Sequence, residues 1–158
     1  MTKIPSFFLV KKLISVNTKG LPKKVNLNRK QLENAINLAA FSIGYKKIHS
    51  KLNIVFTSDK TIAKYHADYL QDNTPTDVIT FPMKEIDPFS QEFILGDLLI
   101  SKETALREAK QRKIPIQKEL IMYAIHGFLH LNGFDDHSVK DRRKMFAKQN
   151  QILKKLFK

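Results

Sequence analysis

The chain of 158 residues contains no cysteine. Thiolate zinc sites, thiol nucleophiles and disulfides are therefore excluded, and the composition fits a reducing, cytoplasmic setting. Long apolar runs are missing too. The N-terminal stretch "MTKIPSFFLVKKLISV" is broken by Lys11 and Lys12 and lacks the apolar core and small-residue cleavage site of a signal peptide. No stretch is long enough to cross a bilayer, so no membrane role is expected. There is no internal repeat, low-complexity segment or Ser/Gly linker, and the length suits one domain over 1–158 with one core. Acidic residues are scarce: Asp plus Glu is 15 against 28 for Lys plus Arg, a net charge of +13. Such a surplus favours a polyanionic partner, because neutralising phosphates releases condensed counterions.

What is present is an alternation of short elements. The stretch from Phe7 to Val16 reads as a strand. "LNRKQLENAINLAAFSIG" sets Leu32, Ala35, Ile36, Ala39, Ala40 and Ile43 on one helical face ending at Gly44. "KLNIVFTS" alternates Leu52, Ile54 and Phe56 on one side, as a half-buried strand does. Asp59 is placed to cap a helix running through Ile62 and Tyr65 toward Leu70. "DNTPTD" is turn chemistry, and "VITFP" is a short strand stopped by Pro82. "EFILGDLLIS" reads as a strand pair, or one strand bulged around Gly96. Ser101 caps a charged helix, Pro115 opens the next, and Ser138 with Asp141 caps the last. The order β, α, β, α, β, β, then three helices predicts an α+β domain, a small mixed sheet with helices packed on it.

The chemistry concentrates in "AIHGFLHLNGFDDHS", residues 124–138. His126 and His130 are four apart, so a helix aims both imidazoles at one point. Gly133 ends that helix and lets the chain turn back beneath it, as in the H-x-x-x-H-x-x-G-x-x-H pattern of zinc proteases. Counting from His130, the third ligand falls on Asp136, with His137 one residue later as the alternative or as an outer contact. The position where a zinc protease carries its glutamate base is Gly127, which argues against peptide hydrolysis. Gly127 lets the helix pack closely on a strand or leaves room for a bulky substrate.

"HGFLHLNGFDDH", with "LGDLLIS" upstream and "PTDVITFP" before that, resembles the YbeY family of rRNA maturation factors, whose signature is similar to H-G-x-L-H-L-x-G-[YF]-D-H after a P-T-D-V-L-S-F segment and an L-G-D-I strand. The blocks occur in the same order and the likeness covers roughly residues 50 to 157. The resemblance implies an α+β metalloprotein with one zinc (Zn2+), an endoribonuclease of 16S rRNA 3′-end maturation and ribosome quality control. Its partners would be rRNA, the small ribosomal subunit and ribosome-associated proteins. Carried over, His126 and His130 match the first two ligands, and the third is Asp136 by count or His137 by residue type. The sequence departs from the family at "FDDH", usually "YDH". It departs again where the family tends to carry an Asn and a Tyr-Arg pair and this chain has His66, Tyr69 and Leu70, leaving His66 as a weak RNA-binding candidate.

RNA cleavage asks less of the protein than peptide hydrolysis does. Zinc polarises a phosphate oxygen and lowers the pKa of its water toward about 7, so metal-bound water is the expected catalytic group. RNA also brings its own 2′-hydroxyl, and basic side chains would hold a single-stranded segment. Among carboxylates, Asp97 in "LGDLL" is a weak catalytic candidate, Asp77 reads as a turn residue, and Glu119 suits a helix N-terminus. The competing expectation is a non-catalytic ribosome-assembly factor with a structural zinc, which a fourth ligand would favour.

Overall fold

A computed structural model describes residues 11–70 and 77–158, the side chain of Leu70 excepted. Among these, the order is β1 (Ile14–Lys19), α1 (Arg29–Ser42), β2 (Ser50–Thr57), α2 (Asp59–Leu70), β3 (Val78–Ile86), β4 (Phe93–Ser101), α3 (Lys102–Arg112), α4 (Ile116–Leu131) and α5 (Val139–Leu156). The sheet runs β1-β2-β4-β3, with β1, β2 and β4 parallel and β3 antiparallel to β4. This is the α+β, mixed-sheet architecture expected from the pattern.

The alternating apolar residues decide which helix lies on which face. Leu52, Ile54, Leu98 and Ile100 share one buried core with α1, α4 and α5. The intervening residues Val55, Ile79, Phe81 and Leu99 pack against Ile62 of α2 on the other face. The two faces therefore carry different chemistry: the histidine helix lies on one and α2 on the other.

Several boundaries differ from the sequence reading. Phe7 to Val10 lie outside the described residues, and β1 starts at Ile14. Its outer edge is occupied by side chains of α1: Asn37 Oδ1 accepts from the Leu13 and Ile14 amides and Glu33 Oε2 from Val16 N. Such bonds replace a strand partner and are invisible to periodicity. The residue capping α2 is Ser58, whose hydroxyl accepts from Thr61 N at 3.2 Å. Asp59 instead binds Ser101, Thr104 and Arg107, tying α2 to α3. Pro82 does not stop β3, which continues to Ile86 with an irregularity between Pro82 and Glu85. Proline is tolerated there because β3 is an edge strand and a missing N–H costs no ladder bond on its open side. Around Gly96 there is one strand, β4, bulged against β2, not a strand pair. Pro115 stands at the N-cap of α4, just outside the helix.

Candidate metal centre

Helix α4 carries a polar stripe on an otherwise apolar rod. Glu119, Tyr123, His126 and His130 follow at spacings that keep them on one face, while Leu120, Ile121, Ala124, Ile125 and Phe128 fill the core. The helix ends in a Schellman turn: Gly133 N donates to His130 O at 3.1 Å and Phe134 N to Leu129 O at 3.1 Å, with Gly133 at φ +89°. That turn brings the following loop back beneath the histidines.

There, three donor atoms converge. His126 Nε2 and His130 Nε2 lie 3.1 Å apart, and Asp136 Oδ2 lies 3.7 and 3.6 Å from them. Donors at tetrahedral angles around zinc, with bonds of roughly 2.0–2.2 Å, stand about 3.3–3.6 Å from one another. The triangle's sides of 3.1, 3.6 and 3.7 Å straddle that spacing, within a few tenths of an ångström at each end.

Protonation fits as well. His126 Nδ1 is 2.8 Å from Gln149 Oε1; the tautomer with its hydrogen on Nδ1 donates to that oxygen and leaves the Nε2 lone pair for a metal. Burial pushes the pKa of His130 down, helped by the neighbouring His126 and opposed by Asp136 and a hydrogen bond to the Phe134 backbone. A neutral His130 is the form that binds metal. The group His126, His130 and Asp136 can hold a metal ion.

The loop gives Asp136 and His137 different surroundings, although Asp135, Asp136 and His137 also bring donor atoms within 4.8 Å of one another. Asp135 Oδ1 accepts from the amides of Asp136 and His137 at 2.7 and 3.2 Å, and Arg142 Nε donates to Asp136 O at 3.2 Å. So held, Asp136 turns toward the histidines. The His137 side chain is 89% exposed, with Nε2 3.5 Å from Asp135 Oδ1.

A cavity of about 240 Å³ opens beside His126 and Asp136, walled also by Asp77, Arg112, Tyr123 and Gln149. Asp77, read from sequence as a turn residue, does both jobs: its Oδ1 accepts from Val78 N at 2.9 Å and it lines this cavity. Glu119 is fully buried and ion-paired to Arg112 at 3.1 Å. Burial raises its pKa, against the Tyr123 hydrogen bond and the Arg112 charge. Burial likewise raises Tyr123, reinforced by Glu119. The structure does not bring Asp97 or His66 to the histidines. Asp97 accepts from Asn53 Nδ2 at 2.8 Å in a groove on the α2 face, and His66 lies on α2.

Gly127 is explained by packing. A Cβ built there would lie 2.9 Å from Leu98 Cδ2 and 3.2 Å from Val78 Cγ1. The position faces the sheet, so a glutamate there would be driven into the core and away from the donor triangle.

Residues 15–157 match the family described as Endoribonuclease YbeY. The chain belongs to this family. It is 37% identical over 111 residues to the Endoribonuclease YbeY of Oceanobacillus iheyensis, covering 66% of this chain and 72% of that one. To the Bacillus thuringiensis enzyme of the same name it is 34% identical over 136 residues, 82% of this chain and 84% of the other. The solution structure of TM1509 from Thermotoga maritima superposes with a TM-score of 0.57 at 25% identity, covering 90% of this chain and 88% of that one.

Sequence reading missed Gln149 and Arg112. Gln149 had a signal: it interrupts the buried row Met145, Ile152 and Leu156 of α5, and a polar residue on an apolar face asks for a partner. Arg112 sits in a charged helix where nothing distinguishes it from its neighbours.

Proposed function

We propose that the chain is a zinc-dependent endoribonuclease of single-stranded RNA, with His126, His130 and Asp136 as the ligands, acting in 16S rRNA 3′-end maturation and ribosome quality control. The observation that carries this reading is the donor triangle at the end of α4 in a member of an endoribonuclease family. Zinc bound there would polarise a phosphate oxygen and acidify a water molecule.

The chain's own residues do the rest. Gln149 fixes the His126 ring and its tautomer, and the Asp135 turn holds Asp136 in place. Arg112 supplies a cation to the cavity wall, where the family resemblance expects arginine from the position that is Leu70 here. The net charge of +13 attracts the RNA backbone and the small ribosomal subunit. A cytoplasmic setting is consistent with the absence of cysteine, and no helix among the described residues is long and apolar enough to cross a membrane. The structural-zinc alternative requires a fourth donor, and His137, the other candidate from the sequence, would have to leave Asp135 and turn inward.

The test is cleavage of a precursor 16S rRNA 3′-end substrate by the unaltered chain and by His130→Ala, purified side by side. Cleavage by the first and none by a folded second supports the enzyme reading. Equal cleavage overturns it, and cleavage by neither, with ribosomes supplied, moves the assembly-factor reading to first place.

A further inference from the structure

On the sheet face opposite the histidine helix, α2 presents two tyrosines one turn apart. The Tyr65 and Tyr69 rings lie parallel, centroids 5.7 Å apart with an interplanar angle of 13°. Both meet Phe81 of β3 edge-on, at 6.2 and 5.8 Å. They are not core residues: Tyr65 is 38% exposed and Tyr69 65%. A groove of about 730 Å³ runs alongside them, a size typical of small-ligand sites, with Lys19 and Asp97 among its lining residues. Lys60, Lys64 and Asp68 line a second hollow that the same tyrosines share. Among the described residues none of these three lysines forms an ion pair; Asp68 lines the same hollow as Lys60 and Lys64, so three lysines stand against two carboxylates, Asp68 and Asp97, and the balance is positive. Asp97 itself is partly satisfied by Asn53.

We propose that Tyr65 and Tyr69, backed by Phe81 and flanked by Lys19, Lys60 and Lys64, form a stacking platform for bases of single-stranded RNA outside the metal cavity. Flat exposed rings with a net excess of lysines beside them are what a single strand needs: a π-face for each base and cations for the backbone. The Asp97 carboxylate, steadied by Asn53, offers an acceptor to the N–H edge of a stacked base. The platform also lies within reach of the cleavage site. Asp77, ahead of β3, lines the metal cavity, and Phe81 four residues on lines the groove, about 13 Å along the edge strand at the usual rise. A strand held on the tyrosines would pass over that edge to the histidines. The inference deepens the ribonuclease reading and rests on it for the nature of the ligand.

The chain has no tryptophan and four tyrosines, so base stacking should register directly as quenching of tyrosine emission. The experiment titrates the full chain, in EDTA so that nothing is cut, with an oligouridine 10-mer, reading tyrosine fluorescence and the anisotropy of a labelled strand. The platform predicts quenching, affinity reduced about tenfold by Tyr69→Leu and further by Tyr65→Leu, and near-native affinity for Tyr69→Phe. Lys64→Ala should lower the logarithmic salt dependence by roughly 0.7. Unchanged affinity in the folded leucine variants overturns the proposal. So does failure of the oligonucleotide to bind, which would leave this face to a protein contact. A separate cleavage assay without EDTA tells the two readings apart. Binding that needs the tyrosines without any cleavage sinks the ribonuclease, and cleavage indifferent to the tyrosines sinks the platform.

Discussion

Replacing Gly127 with glutamate would restore the H-E-x-x-H order of a zinc protease helix, and the packing predicts that it fails as a protein before it could act as one. The new side chain points at Leu98, which is fully buried, and at Val78, with the first added carbon already within 2.9 Å of a Leu98 methyl. Forcing extra atoms into a packed core costs about 1–3 kcal/mol. The carboxyl cannot stay ionised there, and keeping it protonated at pH 7 costs about 3.7 kcal/mol from a usual pKa near 4.3. Better helix propensity than glycine returns only about 0.8 kcal/mol. The net loss is about 4–6 kcal/mol, a large part of the roughly 5–15 kcal/mol that holds a domain together. At about 2–4 °C per kcal/mol for this size, thermal unfolding followed by circular dichroism should shift down by roughly 10–20 °C, or the variant should not fold. Gly127→Ala, which adds one methyl and gains helix propensity, should stay within about 1 kcal/mol. A Gly127→Glu variant melting within a few degrees of the parent would refute the claim that this position faces the sheet.

Other consequences concern the site and its supports. Gln149→Leu removes the acceptor that fixes the His126 tautomer and should weaken metal binding about 10–100-fold, measured by competition with a chromogenic chelator. Asp136→Ala should weaken binding at least as much, whereas His137→Ala, altering a side chain 89% exposed, should change it less than about twofold. Asp59→Asn tests the α2–α3 tie. Burial pushes the Asp59 carboxyl up, but hydrogen bonds from Ser101, Thr104 and Arg107 and the Arg107 charge outweigh it and hold its pKa at about 2, below the ordinary 3.8. Because the unfolded chain binds the extra proton in that window, the contribution is complete above about pH 4 and disappears as pH falls toward 2. The variant should lose about 1–2 kcal/mol at neutral pH, allowing for solvent screening, and the difference from the parent should close on acidification. A pH-independent difference would contradict it.

The element order was readable because each helix buries an apolar face of period near 3.6 and β2 alternates Leu52, Ile54 and Phe56 into the core. The histidine pair was readable because four residues on a helix fix a direction without any tertiary knowledge. What sequence could not supply were interactions between distant segments. Asn37 and Glu33 finish the edge of β1 from α1, Asp59 reaches Ser101 rather than capping its own helix, and Gln149 meets His126 across two helices. Pro82 misled for the same reason, since only the strand order reveals that β3 is an edge. The two readings of Gly127 were likewise separable only once Leu98 and Val78 stood opposite it.

The proposed function puts RNA cleavage at the donor triangle at the end of α4. Its most direct test is the rate of single-stranded RNA cleavage as zinc is added back to the chelated chain, with bound metal counted in the same samples. The expected result is no cleavage without metal, a rise in proportion to zinc up to one ion per chain, and no recovery in Asp136→Ala. Cleavage that survives chelation, or recovers equally in that variant, would contradict it.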